Sequence, residues 1–505
     1  MSNNFGLVDL AVVITYVVAT IALGVWLGRN QKNSRDYFVA DRNLPWWAVM
    51  FSIVAAETSA LTFISIPGLA YLGNFGFLQV CAGYIVGRVV VALVLLPRYF
   101  QGELVTAYTL LGTRFGPETR RFTSIVFMVT RAMADSVRVF ASAIPIALII
   151  GPAVPKQWVM PSAILVLGAL TIVYTYRGGM RAVVWTELLQ AAVYMTGGIS
   201  AVALLGLAAT GGWPHIVDAA RVAGKLQVLD FYTGIDRPHT IWAGVIGGAF
   251  LTMASHGTDQ TIVQRMLSSR SLREAQRAII GSGIVVFVLM TLFLTVGVGL
   301  WSFYGAKEFA TPDVIFPTFI VQQMPHGLIG LLLASIIAAT MSTHSGAINS
   351  LAAATTHDIY LPLTGRSADD ASTLRAGRYF ALAWGVVLTV GALLFPAGKT
   401  PVVVIALSIA SFTQGALLGA FALGIFNRRA IQRDAILGMS LGIIAMAGVV
   451  FAKPLSAAYP VLVHLLGPFA NVAWPWYVLI GLTITFTSGS VSALTHAPVT
   501  ARPGR

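Results

Sequence analysis

Long runs of apolar residues recur along the whole chain, separated by shorter polar segments. Each run has about the 20 residues that an α-helix needs to cross the hydrocarbon core of a bilayer. We therefore predict an all-α polytopic membrane protein with about thirteen transmembrane helices. The predicted spans are Leu10–Leu27, Trp46–Ala70, Phe77–Leu96, Phe122–Ile150, Met160–Tyr176, Ala182–Leu207, Thr240–Val263, Ala278–Trp301, Gly327–Ala354, Tyr379–Phe395, Val402–Phe426, Ala435–Phe451 and Ala473–Leu494.

Two of these spans are interrupted by polar and glycine-rich stretches. The second span holds the stretch from Ala55 to Thr62, and the seventh holds the stretch from Ser255 to Gln260. Such stretches are tolerated at membrane depth where a helix is broken and its free backbone groups line a protected cavity. The two interruptions lie five spans apart, which is the spacing of two inverted repeats that each begin with a discontinuous helix.

The repeat spacing divides the chain into four parts. We expect residues 1–45 to form the first helix and a cytosolic loop, and residues 46–210 to form the first repeat with core helices 1–5. Residues 211–428 form the second repeat with core helices 6–10, and residues 429–505 form two peripheral helices and a tail. Segment 453–472 is predicted to be an interfacial hairpin rather than a span.

Composition supports a membrane location and sets the orientation. The chain is 57% hydrophobic and only 10% charged, against roughly 25% charged residues in a soluble domain. Of the 32 Lys and Arg residues, 22 fall in one set of alternate loops and seven in the other. The positive-inside rule then places the amino terminus outside and the carboxyl terminus in the cytosol. We therefore predict a multi-pass protein of the inner (plasma) membrane, in contact with lipid and not with nucleic acid.

The ninth predicted span carries a cluster of hydroxyl side chains. On a helix, Ala339, Ser342, Thr343 and Ser345 lie within two turns, so their oxygens can converge on one side. Several neutral oxygens suit a small monovalent cation that must be released in every cycle, and free carbonyls of the broken second span could add to them. The alternative is that these hydroxyls bond their own backbone or join neighbouring helices. The cluster together with the broken span favours a cation site.

Several ordered blocks of the sequence resemble the solute:sodium symporter family. The resemblance runs from about Asp36 to Arg429, and it implies a LeuT-like fold of ten core helices in two inverted repeats after one extra helix. It also implies sodium-coupled import of a small solute by alternating access, with Na⁺ as coupling ion and no other cofactor. The blocks are Asp36–Ala40 with Arg42, Phe63–Tyr71, Gly178–Glu187 with Gln190, Gly257–Gln260 with Gln264 and Arg265, and Ala339–Ser350 followed by Asp358–Tyr360.

The resemblance further implies positions for the coupling ion. The conserved site takes backbone carbonyls of the first core helix and carbonyl and hydroxyl groups of the eighth. A candidate second sodium site uses Glu187 and Ser345, but Glu187 replaces the usual Asp, and Gly346 replaces a typical Ser. The alternative for Glu187 is a carboxylate at a helix start, paired with Arg181 or the helix dipole. The residues implied for the conserved site are Ala55, Thr58, Ala339, Ser342 and Thr343.

Matching positions also nominate residues that bind the solute. They lie near the two breaks, where sugar carriers of the family place larger amide groups and a gating tyrosine. The small hydroxyl residues of this chain argue against a sugar pocket of that design. The nominated residues are Ser59, Thr62 and Phe63 from the second span, and Thr252, Ser255 and His256 from the seventh.

Charged residues in spans 2–4 suggest a class of solute. Glu57, Arg88, Arg131, Asp135 and Arg138 are expensive to bury, so they should face the bundle and pair. Two carboxylates against three guanidinium groups leave one positive charge over, and a guanidinium without a partner can clamp a carboxylate. Glu57, Arg88, Arg131 and Asp135 are therefore predicted to bind a small polar, carboxylate-bearing solute. The alternative is a purely structural ion-pair network, with Arg138 reaching the interface.

Other functional classes fit the sequence less well. The chain has no HExxH motif and no clustered metal ligands, so we predict no enzyme activity. A channel would usually be built symmetrically around a pore from shorter subunits. The closest competitor is a proton-coupled or exchange transporter on the same fold, with His256 and His344 as proton carriers.

Overall fold

The computed structural model describes most of the chain as helix. It covers residues 5–28, 34–58, 60–101, 104–151, 153–368, 370–395, 402–452, 455–456, 459, 461 and 463–496. No β-strand forms within these ranges beyond one isolated bridge between Leu44 and Ser269. The all-α class predicted from the apolar runs is confirmed.

Twenty-one α-helices follow one another, three of them extended by a turn of π-helix at Val91–Leu95, Ala243–Gly247 and Thr355–Tyr360. The α-helices are α1 (Leu7–Gly28), α2 (Ser34–Val39), α3 (Trp46–Glu57), α4 (Ala60–Leu72), α5 (Phe77–Val90), α6 (Leu96–Tyr99), α7 (Ala107–Phe115), α8 (Pro117–Ile150), α9 (Lys156–Ala208), α10 (Gly212–Val222), α11 (Gly248–Gly257), α12 (Gln260–Leu267), α13 (Leu272–Tyr304), α14 (Ile315–Gln323), α15 (Leu328–Ala354), α16 (Leu361–Thr364), α17 (Ala371–Leu393), α18 (Val402–Phe426), α19 (Gln432–Val450), α20 (Val463–Leu466) and α21 (Tyr477–Ser492). These α-helices are counted only within the residue ranges that the structure describes.

Every one of the thirteen predicted spans coincides with helix. Within the part of the chain described here, nine helical segments, two of them in α9, are long and apolar enough to cross a membrane, or ten if the bent pair α3 and α4 counts as one span. The total of thirteen spans and the orientation of the termini stay predictions. Of the predicted hairpin 453–472, the structure describes parts only, among them α20 and a 3-10 turn at Gly467–Phe469.

The loop predicted between Tyr176 and Ala182 is replaced by helix, because α9 continues from Lys156 to Ala208. A straight helix of these 53 residues would be about 80 Å long, far more than the hydrocarbon core of about 30 Å. The halves of α9 have different neighbours: Gly168 lies against Thr389 of α17, and Gly197 lies against Leu332 of α15. Both halves can lie in the membrane only if α9 changes direction between them.

Both predicted interruptions are breaks between helices. Helices α3 and α4 meet at an angle of 59°, and Thr58 at their junction has a non-helical backbone with ψ of 68°. The second break separates α11 from α12, where the Asp259 carboxylate accepts a hydrogen bond of 2.8 Å from the Thr261 amide and caps α12. Such a cap stabilises a new helix start. The breaks agree with two discontinuous helices, while the division into two repeats stays a prediction.

Helix α15 lies at the centre of the bundle. It packs against α1, α3, α8, α9 and α17, and its most apolar stretch is 88% buried by protein. A helix so enclosed by protein has little contact with lipid. Its polar side chains therefore face other helices, where they can form a site.

Candidate solute and sodium sites

A cavity of about 130 Å³ lies beside the two helix breaks, enclosed by α3, α4, α5, α8, α11, α12, α13 and α18. Phe63 lies outside it, packed between Phe293 and Phe316 at ring distances of 5.1 and 5.0 Å. Arg88 and Asp135 also lie outside its wall, and Ser59 lies outside the described residues. Six residues nominated from the sequence line this cavity: Glu57, Thr62, Arg131, Thr252, Ser255 and His256.

The first charged group of the cavity is built around Glu57. Its Oε2 atom pairs with the fully buried Arg88, which also donates from Nη1 to Ser282 Oγ over 2.8 Å. The Nε2 atom of His256 lies 3.4 Å from the same Oε2, and His256 Nδ1 is hydrogen-bonded to Ser255 Oγ at 2.9 Å. Glu57 Oε1 has no hydrogen-bond partner among the described residues and can accept from a bound molecule.

The second charged group corrects the charge balance expected from the sequence. Asp135 pairs with Arg131 and, at 3.0 Å, with Arg138 Nη1, while Arg131 Nη1 also lies 3.3 Å from Asp259 Oδ2. Asp259 is a third carboxylate that the prediction did not include. Across the two groups, three carboxylates face three guanidinium groups within the described ranges. The surplus positive charge inferred from the sequence is therefore wrong.

Hydrogen-bond donors nevertheless remain on the cavity wall. Arg131 Nη2 and the Nε and Nη2 atoms of Arg138 donate to no residue that the structure describes. Both side chains line the cavity and are 11% and 20% exposed. A guanidinium can thus be paired in charge and still present free N–H groups to a carboxylate.

The sequence also missed polar residues on the far wall of the cavity. Thr130 of α8 and Thr413 of α18 share a hydrogen bond of 2.7 Å, and Gln414 lies beside them. The Gln414 Oε1 atom is buried without a partner in the described part of the chain. The available signal was an amide side chain inside the apolar eleventh span, where polar groups tend to be functional.

Helix α15, which carries three of the predicted sodium ligands, contacts both α3 and α4. Helix α3 ends at Glu57, and carbonyls in the last turn of a helix generally lack partners within the helix. The Val54 carbonyl accepts the Thr58 amide at 2.8 Å, while the Thr58 hydroxyl is also bonded to Tyr194. The Ala55 carbonyl belongs to the same terminal turn. The side chain of Ser342 lies outside what the structure describes.

Thr343 differs from other hydroxyl residues of α15. Ser335 donates to the Leu331 carbonyl and Thr340 to the Ile336 carbonyl, at 2.8 and 2.7 Å. Thr343 Oγ1 is buried and makes no hydrogen bond to any described residue. Leaving a buried hydroxyl unpaired costs about 1–3 kcal/mol, so this oxygen suits a ligand that supplies the missing partner.

A second, very small cavity of about 10 Å³ lies between α8 and α15. Its walls include Thr343 and His344 on one side and Asp135, Arg138 and Ser142 on the other. Both ring nitrogens of His344 lack a partner among the described residues. The space is about that of one water molecule, and it separates the Thr343 hydroxyl from the charged residues of α8.

Glu187 has a buried partner on another helix. It lies within α9 rather than at a helix start, and it pairs with Arg265 Nη2 at 2.5 Å. Arg181, the partner suggested by the sequence, is exposed. The side chain of Arg265 is completely buried.

A family model described as the sodium:solute symporter family matches residues 37–442, which is most of the chain. The chain belongs to the sodium:solute symporter family. The coupling ion of this symporter is Na⁺, and the family and the relatives below are membrane transporters of small solutes.

Individual relatives agree with this assignment. The symporter is 29% identical over 448 residues to the sodium/sialic acid symporter NanT of Aliivibrio fischeri, covering 87% of this chain and 86% of that protein. It is 26% identical over 506 residues to the sodium/sialic acid symporter SiaT of Proteus mirabilis, covering 98% and 97%. A solved structure of a Na⁺-coupled sialic acid symporter, in a substrate-bound outward-open state, aligns with a TM-score of 0.84 at 25% identity, covering 98% of this chain and 99% of that one. The symporter therefore has the LeuT-like helical fold.

Proposed function

We propose that this symporter imports a small polar solute that bears a carboxylate, driven by an inward sodium gradient through alternating access. The observation that carries the choice of solute is the pair of guanidinium groups on the cavity wall. Arg131 and Arg138 both line the cavity and both keep N–H groups that no described residue accepts. A carboxylate matches the fork of a guanidinium and accepts two hydrogen bonds from it.

The rest of the cavity suits the polar remainder of such a solute. Glu57 Oε1 can accept from a hydroxyl or an ammonium group, and Thr252 and Ser255 add hydroxyls on the same side as the α11 break. Phe77 and Phe127 cover apolar parts of the wall. Few polar groups in a mostly apolar cavity are typical of a small-molecule site.

The coupling ion is proposed to bind Ala55, Thr58, Ala339, Ser342 and Thr343. The unpaired Thr343 hydroxyl and the break that ends α3 at Glu57 support this set. The fixed charges near the solute already cancel, so a bound carboxylate alone would add uncompensated negative charge at low dielectric. A sodium ion bound nearby supplies the opposite charge, which gives a physical reason for the two to bind together.

The first solute to test is a sialic acid, because two similar proteins are named as sialic acid symporters and an acid of this kind carries the required carboxylate. Purified full-length symporter is melted with sialic acid, amino acids, simple carboxylates or neutral sugars, in sodium chloride or in choline chloride. A ligand that binds the folded state raises the melting temperature with its occupancy. We expect stabilisation by a carboxylate in sodium only. Neutral sugars that stabilise equally well would contradict the proposed solute class.

Uptake into proteoliposomes then tests the coupling and the role of Arg131. Uptake that is unchanged when choline replaces sodium would exclude sodium coupling and favour the proton-coupled alternative. Arg131→Lys keeps the charge but loses the planar fork, so we expect about 10–100-fold weaker solute binding, the effect of one charged hydrogen bond. Arg221→Lys is the matched control, because Arg221 also pairs with an aspartate on its own helix but is exposed.

A further inference from the structure

Glu187 is one of the two residues predicted to hold a second sodium ion. Its carboxylate is already paired with a cationic side chain of the protein, that of Arg265. We propose that the guanidinium of Arg265 takes the place of a second sodium ion, so that the symporter binds one Na⁺ per cycle. This inference rests on the proposed sodium site at Thr343. It sets the ion stoichiometry that the sequence left open.

The first support is the completeness of the pairing. Arg265 Nη2 donates to Glu187 Oε1 at 2.5 Å, and Arg265 Nε donates towards Glu187 Oε2 at 3.3 Å. Ser52 donates to Glu187 and accepts from Arg265 Nε at 3.1 Å, and Arg265 Nη1 donates to the Thr261 carbonyl at 2.5 Å. All three guanidinium nitrogens therefore have acceptors. Both oxygens of the carboxylate are engaged by a side chain with a permanent charge.

The second support is the space on α15. A Cβ atom added to Gly346 would lie 2.4 Å from Arg265 Nη2, which is shorter than any ordinary contact between a carbon and a nitrogen. The guanidinium therefore lies directly against α15 at Gly346. This is the position where the resemblance leads one to expect a serine hydroxyl as a second ion ligand. Glycine at this position supplies no hydroxyl ligand, and its lack of a side chain also leaves room for the guanidinium.

The third support is electrostatic. Glu187 and Arg265 are both fully buried, and together they carry no net charge. A sodium ion placed against this carboxylate would add a second positive charge next to the guanidinium, in an interior where like charges are poorly screened. The predicted ligands at Thr343 are all neutral, and the Arg138 guanidinium across the very small cavity is held by Asp135. Sodium is therefore expected at Thr343 and excluded at Glu187.

The Glu187 and Arg265 pair, with its neighbouring residues, connects four helices. Ser52 belongs to α3, Glu187 to α9, Arg265 to α12, and Gly346 to α15. A sodium ion bound here would have to separate these contacts in every cycle. A guanidinium held by side chains can stay in place while the other site fills and empties. Arg265 is a positioning residue in this sense, because it touches neither the proposed solute nor the proposed ion.

The test counts ions on the full-length purified symporter. Equilibrium binding of radioactive ²²Na⁺, with choline keeping the ionic strength constant, is expected to saturate at one ion per chain. Saturation at two ions would overturn the inference and leave the proposed sodium-coupled function intact. Absence of any saturable binding would instead contradict the sodium site on which the proposed function rests. The two failures are thus distinguishable.

Two variants locate the ion. Thr343→Val is expected to lose most ²²Na⁺ binding at sodium concentrations that half-saturate the unmodified protein, because its affinity falls by about ten-fold or more. An ion that still binds to this variant with the affinity of the unmodified protein would reveal the second site and overturn the inference. The double variant Glu187→Gln with Arg265→Gln removes both charges at nearly constant size. It should still bind one ion, with a half-saturating sodium concentration within about two-fold of the unmodified protein, because neither side chain is a ligand of that ion under the proposal. A weakening of about ten-fold or more would make Glu187 a ligand and overturn the inference. If the double variant does not fold, the ion count of Thr343→Val decides.

Discussion

The polar faces of α8 and α15 meet across the very small cavity and differ in how their side chains are satisfied. On α8, Arg131, Asp135 and Arg138 are held in ion pairs. On α15, Thr343 and His344 leave buried polar atoms without partners in the described part of the chain. A buried charge without a partner is prohibitively costly, so charges must be neutralised within the fold itself. Leaving a neutral hydroxyl unpaired costs far less free energy, so it can stay unpaired until a ligand binds.

Because of this difference, the charged face of α8 and the neutral face of α15 are suited to different functions. The charged face can fix the shape of the solute cavity, because its pairs exist before any ligand arrives. The neutral face can bind and release an ion, because its oxygens carry no strong charge to hold it. The buried Glu187 and Arg265 pair, on α9 and α12, follows the rule of the charged face. It is satisfied in advance and takes no part in ion exchange under our proposal.

The largest effect is expected from breaking the charged face. Asp135→Asn leaves Arg131 and Arg138 with one carboxylate fewer, and removing one partner of a buried pair costs about 3–5 kcal/mol. We expect a strongly lowered melting temperature or no folded protein. Glu118→Gln is the control, because its pair with Arg121 is exposed and such pairs contribute about 0–1 kcal/mol. Equal melting temperatures of the two variants would contradict the difference proposed between the charged and the neutral face.

A smaller and more selective effect is expected on the neutral face. Thr343→Val should raise the half-saturating sodium concentration by about ten-fold or more, because one neutral ligand is lost. In the absence of sodium the same variant should be as stable as the unmodified protein or more so, since an unpaired buried hydroxyl is removed. Melting curves with and without sodium measure both quantities. Ser335→Ala is the control, because that hydroxyl is bonded within α15. An equal sodium response in both variants would argue against Thr343 as a ligand.

The smallest effect is expected at the far wall of the solute cavity. Gln414→Ala removes an uncharged side chain whose oxygen has no partner in the described ranges. We expect solute uptake to require about two- to ten-fold more solute, the effect of one neutral hydrogen bond. The sodium dependence should be unchanged. A change in sodium dependence as large as that of Thr343→Val would show that the solute cavity and the proposed sodium site do not act independently.

Much of this symporter could be predicted from local sequence. Apolar runs located helix at all thirteen predicted spans, and polar stretches located both helix breaks. The spacing of Arg131, Asp135 and Arg138 predicted one face of one helix, and their pairs over three and four residues are seen. These features depend on neighbours within a few turns, where helical geometry fixes which side chains meet.

Tertiary structure alone decided which distant groups meet. Arg131 also pairs with Asp259, 128 residues away, and Arg265 pairs with Glu187, 78 residues away. The first contact cancelled the charge surplus that the sequence suggested, and the second turned a candidate sodium ligand into half of an ion pair. Such partners depend on how helices pack in the bundle, and helix periodicity carries no information about that packing. The sequence alone determined the helices, their breaks and the family, whereas the balance of buried charge was settled only when the helices came together.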